Sequence, residues 1–214
     1  MTDPLGVIVL EKGEPIPIGV YQVLSGADSA LGQDQLRGIE IRVEDEGGKL
    51  LGHPIKLVVE DSTCSAEGGR AAARNLAADA KLALAIGGTC SSSTAAAAPI
   101  LWQAGVPSIG ASSTAPALTA PDRPNELQGF VRVGPNDLRF GRAVADWAYG
   151  VERKRTAVVI HDGSSYSRAY ARGFAERFKE LGGMVASIES IAIDHNDVRS
   201  LLARVGESKP QILF

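Results

Sequence analysis

The stretch LALAIGGTCSSST, residues 82–94, decides the fold of this 214-residue chain. Its first five residues are short and apolar, which is typical of a strand buried on both faces of a parallel sheet. The pair Gly87-Gly88 allows a sharp turn, and the hydroxyl-rich residues after it lead into an alanine-rich segment that reads as a helix. We therefore predict a buried strand, a tight corner and a helix N-terminus at this point.

A second corner of the same kind follows a predicted strand at residues 107–109, where Gly110 precedes the sequence ASST, residues 111–114. Hydroxyl side chains at a helix start either cap backbone amides or, together with the amides and the helix dipole, favour a bound anion. Open α/β sheets bind ligands at the carboxyl ends of their parallel strands. Both corners are therefore candidate ligand contacts, with simple helix capping as the alternative.

Alternating strand and helix patterns predict a parallel, doubly wound α/β sheet with right-handed crossovers. The predicted strands of the first half are residues 16–24, 55–59, 82–86, 107–109 and 130–133, with an edge strand or an arm at residues 7–10. Apolar faces of helices are predicted for Leu36, Ile39 and Val43, for Ala72, Leu76 and Ala80, and for residues 94–103. Pro99 interrupts the last helix, so we expect a later helix start or a kink.

The pattern restarts after Gly134-Pro135, and we place a domain boundary there, giving domains of residues 1–133 and 134–214. In the second domain, a helix capped by Asn136 would present Phe140, Val144 and Trp147 on one face, and a later helix would bury Tyr170, Phe174, Phe178 and Leu181. Strands are predicted at residues 156–160, 184–193 and 211–214, with a helix at 197–205. Because the chain stops inside a predicted buried strand, we expect a fragment of a longer protein.

Composition argues against several classes of partner. The chain carries 22 Lys and Arg against 25 Asp and Glu, a net charge of −3, so it offers no basic excess to nucleic acid or to an anionic membrane. No apolar stretch is long enough to span a bilayer, and no basic-then-apolar signal begins the chain. The start therefore indicates either a cytosolic protein or a chain whose export signal was removed.

The two cysteines, Cys64 and Cys90, each follow a predicted strand. If those strands are neighbours in one sheet, the thiols lie within bridging distance, and a bridge would indicate an oxidising compartment. Two free buried thiols are the alternative.

Metal, cofactor and catalytic sites are not expected. His53, His161 and His195 stand in separate predicted elements without a shared carboxylate or thiol cluster. The glycine pair lacks the lysine of a phosphate loop, a dinucleotide fingerprint is missing after the first strand, and neither cysteine has a histidine beside it to act as base.

With both corners placed, the chain resembles the periplasmic branched-chain amino acid binding proteins, the type I solute receptors of ABC importers. The most specific match is DSTC, residues 61–64, together with GGTCSSST, residues 87–94. Supporting matches are LSG (24–26), AGVP (104–107), SST (112–114), and HD (161–162) followed by Tyr166. The order and spacing of these motifs carry the resemblance, which runs from about residue 16 to residue 214.

The resemblance implies two α/β lobes joined by crossing strands, with the second lobe incomplete in this chain and a ligand trapped between the lobes as they close. It also implies a disulfide between Cys64 and Cys90. Ser91 and the backbone at Ser112 would hold the carboxylate of an amino acid-like ligand, and Thr114 with the Ser112 carbonyl would meet its ammonium. Tyr166, from the second lobe, would cover the ligand.

Further candidate contacts lie in or near the same motifs: Thr89, Ser92 and Ser113. Leu31 stands where some family members carry an aromatic residue that lines the side-chain pocket. The acidic partner of a ligand ammonium would lie beyond Phe214. The sequence places no arginine beside either corner, and a carboxylate at a helix N-terminus needs none.

The resemblance implies a non-catalytic protein, exported to the periplasm or the cell exterior, with its signal segment absent from this chain. It would capture a branched-chain amino acid or a similar small carboxylated solute and deliver it to the membrane permease of an ABC transporter. A ligand-sensing domain of a receptor or regulator with the same fold is the alternative.

Overall fold

The computed structural model describes residues 6–192 and 197–214, in two units, Met1–Gly134 and Pro135–Phe214. The strands are Ile16–Gln22 (β1), Lys49–Leu50 (β2), His53–Asp61 (β3), Leu84–Gly87 (β4), Ser108–Gly110 (β5), Phe130–Arg132 (β6), Thr156–His161 (β7), Met184–Ser190 (β8) and Ile212–Leu213 (β9). The α-helices are Ser29–Asp45 (α1), Ala66–Ala77 (α2), Ser91–Gln103 (α3), Asp137–Asp146 (α4), Ser165–Glu180 (α5) and Arg199–Glu207 (α6). Two 3₁₀ turns, Pro116–Thr119 and Asn125–Leu127, and a π-helical turn, Trp147–Val151, complete the described elements.

The first unit is built on a six-stranded sheet of order β2-β3-β1-β4-β5-β6. All its pairings are parallel except that of β2 with β3, so a two-residue antiparallel strand that the sequence did not predict extends one edge. The predicted doubly wound α/β architecture is confirmed. Since β1, β4 and β5 are adjacent, the corners after β4 and β5 meet at the carboxyl edge of the sheet.

Small residues let the helices of this unit approach the sheet and each other closely. The main core joins Tyr21, Leu76 and Leu101 with alanines from α2 and α3. At Gly69 a Cβ atom would lie 2.3 Å from the carbonyl oxygen of Ser93, so α2 and α3 touch through their backbones. Alanine and glycine positions therefore bring the N-terminus of α3 into the same layer as α2.

Two predictions for this unit, for Ala80 and for the start of α3, need correction, and the structure excludes one alternative at residues 7–10 and one at Pro99. The described residues 6–15 contain no strand, so the run at 7–10 is an arm. Ala80 is exposed and lies beyond α2, which ends at Ala77. Helix α3 starts three residues earlier than predicted, and Pro99 lies inside it, so the alternative of a later start is wrong.

The second unit has a three-stranded parallel sheet of order β8-β7-β9. Alternate residues of β7 face opposite sides: Ala157 and Val159 pack against Phe174 and Phe178 of α5, whereas Val158 packs against α6. The predicted burial of the aromatic face of α5 is confirmed for Phe174 and Phe178, which are fully buried. Tyr170 and Leu181 are partly buried, and Leu181 lies just beyond the helix. The last residue of the predicted strand 184–193 lies outside the described residues, and so does His195.

Helix α4 buries only part of the predicted face, since Val144 alone of its three residues packs against the core of this unit. Phe140 and Trp147 are about half exposed, while Gly141 and Ala145 are buried. A Cβ atom on Gly141 would lie 2.3 Å from the carbonyl oxygen of Tyr170, so α4 and α5 cross with their backbones in contact. The larger side chains are excluded from this crossing because only small residues allow that separation.

Candidate functional site

The first corner is shaped around the buried ring of Tyr21 on β1. Gly87 has φ 154°, and a Cβ atom there would lie 2.6 Å from the Tyr21 carbonyl oxygen. A Cβ atom on Gly88 would lie 3.1 Å from the Tyr21 ring. Desolvation by burial raises the pKa of the Tyr21 phenol, so this group is neutral at physiological pH. Because neither glycine has a Cβ atom, the backbone of Gly87 and Gly88 packs directly against Tyr21.

The disulfide between Cys64 and Cys90 is present, with a Cα–Cα distance of 5.2 Å. The premise that their strands are neighbours is wrong, because β1 lies between β3 and β4. The chain after β3 turns over the end of β1, where the Ser62 amide donates to the Gln22 carbonyl oxygen at 2.8 Å. This turn carries Cys64 to Cys90, the residue that precedes α3.

The side chain of Asp61 stabilises the same turn through hydrogen bonds to backbone amides. Its Oδ1 atom accepts hydrogen bonds from the amides of Leu24 and Thr63, both at 2.8 Å. Burial opposes ionisation of this carboxyl, but the bonds from Leu24, Ser25 and Thr63 outweigh it and lower the pKa of Asp61. The carboxylate therefore holds the turn in its ionised form.

The N-terminus of α3 presents backbone amides at the sheet edge. The first helical bond runs from the Thr94 amide to the Cys90 carbonyl oxygen at 3.1 Å, so the amides of Ser91, Ser92 and Ser93 precede the helical ladder. The buried Ser91 Oγ accepts from the Ala115 amide at 3.1 Å. Its hydroxyl hydrogen can then be donated to another acceptor. Ser92 is exposed and donates to the Cys64 carbonyl oxygen at 2.9 Å.

Buried hydroxyls fasten the second corner to the first. Ser113 Oγ donates to the Gly88 carbonyl oxygen at 2.6 Å and lies 2.6 Å from Thr94 Oγ1. Thr94 Oγ1 in turn accepts from the Gly88 amide at 3.0 Å. Ser112 and Thr114, on either side of Ser113, are partly exposed on the same loop. The buried residues of this loop therefore position it, and its partly exposed residues remain the candidate contacts.

Thr89 is directed into the protein. Its Oγ1 accepts from the Val23 amide at 3.1 Å and donates to Gln22 Oε1 at 2.8 Å, and it lies 3.1 Å from Gln35 Oε1. Only 6% of Thr89 is exposed. The side chain joins β1, α1 and the first corner. Leu31, by contrast, is 60% exposed near the start of α1.

An arginine lies beside the second corner, contrary to the sequence prediction. Arg132 on β6 pairs in register with Gly110, and its guanidinium donates to the carbonyl oxygen of Ala115 at 2.9 Å. The prediction was wrong because Arg132 is distant from the corner in sequence and reaches it through strand pairing. The parallel strand that ends in FVR, residues 130–132, was the available signal.

In the second unit, Tyr166 lies in the first turn of α5 and is 48% exposed, with its ring centroid 6.0 Å from that of Tyr170. Partial burial, then the neighbouring Tyr170, Asp137 and Asp162, raise the pKa of Tyr166. The loop before α5 is ordered by Asp162, which accepts from the Ser164 amide at 2.8 Å and from the Ser167 hydroxyl.

Asp162 and His161 have local partners. Burial raises the pKa of Asp162, but the bonds from Ser167 and Ser164 outweigh it, and the net shift is downward. His161 Nδ1 accepts from the Gly163 amide at 3.0 Å, as expected for a satisfied residue at a strand end. Together these contacts hold the turn that presents Tyr166.

One cluster within the described residues brings metal-ligating atom types together. Asp28, Cys64 and Cys90 have such atoms within 4.8 Å of one another. Both sulfur atoms belong to the disulfide, so they are not thiolate ligands.

In the parts of the chain that the structure describes, the helices are too short or too polar to cross a bilayer.

The sequence matches a family model described as periplasmic binding protein over residues 15–214. The chain belongs to this family. Amino acid binding protein of Pseudomonas aeruginosa is 27% identical over 201 residues, covering 93% of this chain and 53% of that protein. Leu/Ile/Val-binding protein of Escherichia coli K12 is 27% identical over 203 residues, covering 94% of this chain and 54% of that protein.

Solved structures of ABC-transporter binding proteins are also similar to this chain. A leucine binding protein from Thermotoga maritima superposes with a TM-score of 0.84 at 27% identity, covering 92% of this chain and 55% of that one. A solute binding protein of an ABC transporter from R. palustris, solved in complex with benzoate, superposes with a TM-score of 0.81 at 25% identity. The match covers 93% of this chain and 54% of that one. The predicted type I periplasmic binding protein fold is confirmed, and the chain spans about half the length of these relatives.

Proposed function

We propose that this protein is the substrate-binding component of an ABC importer and that its unit 1 holds the carboxylate of a small solute. The observation that carries the proposal is the arrangement at the α3 N-terminus. The amides of Ser91, Ser92 and Ser93 precede the helical ladder there, and the Ser91 hydroxyl lies against the loop of the second corner. Helix N-termini favour anions through these amides and the helix dipole.

The ligand class follows from the chemistry of the two corners. Ser91 Oγ and the Ser112 backbone would bind the carboxylate, and Thr114 with the Ser112 carbonyl would bind an ammonium if the ligand has one. A relative in Thermotoga maritima is named a leucine binding protein, and one in R. palustris was solved with benzoate. We infer a branched-chain amino acid as the ligand, with an aromatic carboxylate as the competing candidate.

The remaining candidate residues have different parts in this proposal. Thr89 and Ser113 position the corners, because their hydroxyls are buried in internal hydrogen bonds. Leu31 would lie at the side-chain pocket, and Tyr166 would cover the ligand from the second lobe. Binding would shift an open-to-closed equilibrium, because both lobes contact the ligand only in the closed state.

A thermal-shift series on the full-length protein tests the carboxylate site. Leucine, 4-methylpentanoate and leucinol share the same branched side chain. Leucine has both the carboxylate and the ammonium, 4-methylpentanoate has only the carboxylate, and leucinol has only the ammonium. A hundredfold excess over Kd stabilises a protein by about 2.7 kcal/mol, which a melting curve detects. We expect leucine to raise the melting temperature and leucinol to leave it unchanged; equal stabilisation by leucinol would contradict the site.

The same series separates the candidate ligands. Benzoate is added as the aromatic carboxylate. If 4-methylpentanoate or benzoate stabilises more than leucine, the carboxylate site stands and the ammonium role of Thr114 is wrong. If leucine stabilises far more than both, the branched-chain assignment is supported.

The proposed export and the proposed permease partner are tested in cells. The disulfide supports an oxidising compartment, as in the periplasm. We expect the protein in the periplasmic or extracellular fraction with its cysteines oxidised. Deletion of the gene should abolish high-affinity uptake of the ligand found in the binding series, and unchanged uptake would argue for the sensor alternative.

A further inference from the structure

Arg132 donates hydrogen bonds to the second corner and to the 3₁₀ turn that follows it. Its Nη1 donates to the Ala115 carbonyl oxygen at 2.9 Å and to the Ser113 carbonyl oxygen at 3.5 Å. Its Nη2 donates to Thr119 Oγ1 at 2.5 Å. The side chain is partly buried and comes from β6, which pairs in parallel with β5, the strand that leads into the second corner.

Ala115 connects this arginine to the candidate ligand donor. Its carbonyl oxygen accepts from Arg132, and its amide donates to Ser91 Oγ at 3.1 Å. Ala115 is 7% exposed and Ser91 is 5% exposed. The bond between Ala115 and Ser91 is buried, and the bond between Arg132 and Ala115 is partly buried. Since Ser91 Oγ already accepts from Ala115, its own hydrogen is directed to a different acceptor.

We propose that Arg132 is a positioning residue for solute binding: by holding Ala115 in place, it orients the Ser91 hydroxyl toward the ligand carboxylate. The proposal rests on the proposed role of Ser91. A guanidinium suits this task because its planar set of donors reaches several acceptors in fixed directions. A lysine ammonium would carry the same charge without that geometry.

Arg123 provides a matched control within the same unit. It is also partly buried and donates to three backbone carbonyl oxygens, those of Leu127 at 3.1 Å, Ala120 at 3.3 Å and Gln128 at 3.4 Å. These contacts hold the second 3₁₀ turn, Asn125–Leu127, and do not include Ala115. Arg123→Met therefore has the same chemical change without the link to Ser91.

The first measurement is hydrogen exchange of the Ala115 amide in the ligand-free, full-length protein. We expect Arg132→Met to speed this exchange about tenfold, because loss of the partly buried hydrogen bond to the Ala115 carbonyl oxygen frees the residue, while Arg123→Met leaves it unchanged. An unchanged Ala115 rate in Arg132→Met would overturn the proposal. If Arg132→Met does not fold, Arg132→Lys takes its place, since it keeps the charge.

The second measurement is a double-mutant cycle with Ser91→Ala, using the Kd of leucine or benzoate, whichever binds the wild type. We expect Arg132→Met to weaken binding about tenfold in the wild type and less than about twofold in Ser91→Ala, because the arginine acts through that hydroxyl. Arg132→Lys should weaken binding as Arg132→Met does.

The outcomes distinguish this inference from the proposed function. Equal weakening in both backgrounds would show that the arginine acts independently of Ser91, and full binding by Arg132→Lys would show that its charge alone is sufficient. Either result would overturn the positioning role. If neither carboxylate binds the wild type, the proposed function fails for these ligands. The Ala115 exchange rate then still decides whether Arg132 holds Ala115 against Ser91.

Discussion

Single hydroxyl groups in the two corners have different tasks that depend on burial and hydrogen-bond partners. Ser113 and Thr94 are buried and bonded to each other, so they fix the corners. Ser91 is also buried, but its oxygen accepts from a backbone amide and its hydrogen can still be donated. The same residue type therefore serves as a structural tie at one position and as a candidate ligand donor at another.

Ser91→Ala should weaken carboxylate binding by about 1 to 3 kcal/mol, because it removes a donor from a buried charged group. Calorimetry on the full-length protein measures the change. The matched control is Ser208→Ala in the second unit, whose hydroxyl donates to the Val205 carbonyl oxygen at 2.8 Å. Unchanged affinity in Ser91→Ala, or equal losses in both variants, would contradict the assigned role.

Asp61 should contribute stability that depends on pH. Its pKa is lowered in the folded state, so its contribution is fully present above the unfolded value of about 3.9 and is lost as the pH falls through the folded pKa. Urea unfolding at pH 6, 4 and 3 measures it. Asp61→Asn should lower the free energy of unfolding at pH 6, with the difference from wild type shrinking toward pH 3.

The exposed Asp122→Asn serves as the control for this titration. It should follow the wild-type pH profile. A difference between Asp61→Asn and wild type that stays constant from pH 6 to pH 3 would show that the ionised carboxylate is not what holds the turn.

At the scale of elements, close backbone contacts determine which face of a helix is buried. Helix α4 crosses α5 at Gly141, opposite the backbone around Tyr170 and Phe174, and a Cβ atom on Gly173 would lie 2.6 Å from the Leu138 carbonyl oxygen. The pattern Phe140, Val144, Trp147 has helical spacing, yet the helix buries its small residues. Periodicity identified the helix, whereas the closeness of the partner helix selected the face.

Gly141→Ala should destabilise the protein by about 3 kcal/mol, because overpacking at a tight contact forces the two helices apart. Chemical denaturation of the full chain measures the effect, followed by the combined fluorescence of Trp102 in unit 1 and Trp147 in unit 2. Gly150→Ala is the control, since a Cβ atom there meets nothing within 4 Å. A loss below about 0.5 kcal/mol in Gly141→Ala would indicate that the crossing adjusts freely.

At the scale of the whole molecule, the two units have separate cores and only the first is cross-linked. Tyr21, Leu76 and Leu101 belong to one core, and Phe174 and Phe178 to another. The chain has two cysteines, and their disulfide closes a loop with a sequence separation of 26 within unit 1. Loss of the cross-link should therefore affect the units unequally.

Reduction of the disulfide should lower the stability of unit 1 by about 3.5 kcal/mol, the loop-entropy value for this separation, and leave unit 2 unchanged. Hydrogen exchange of the full chain with and without reductant measures both units at once. Amides of β1 and β4 should exchange faster, while those of β7 keep their rates. Equal acceleration in β7 would contradict an effect confined to unit 1. The double variant Cys64→Ser/Cys90→Ser should reproduce the reduced protein.

The sequence by itself determined the alternating α/β pattern, the two corners and the family motifs, because period, glycine pairs and hydroxyl clusters are local signals. It also placed the serines at the start of α3, and the family resemblance supplied the cysteine pairing that the structure contains. The positions of most strands followed from apolar runs bounded by glycine and proline.

Only the tertiary structure decided which side chains meet. Strand order put β1 between the two cysteine-bearing segments, and strand pairing brought Arg132 to a loop that the sequence left without an arginine. In the folded chain Thr89 is directed into the protein, where its hydroxyl forms hydrogen bonds with Gln22 and the Val23 amide. These contacts depend on residues far apart in the chain, and their energies come from burial and hydrogen bonding in the folded state, which no local pattern encodes.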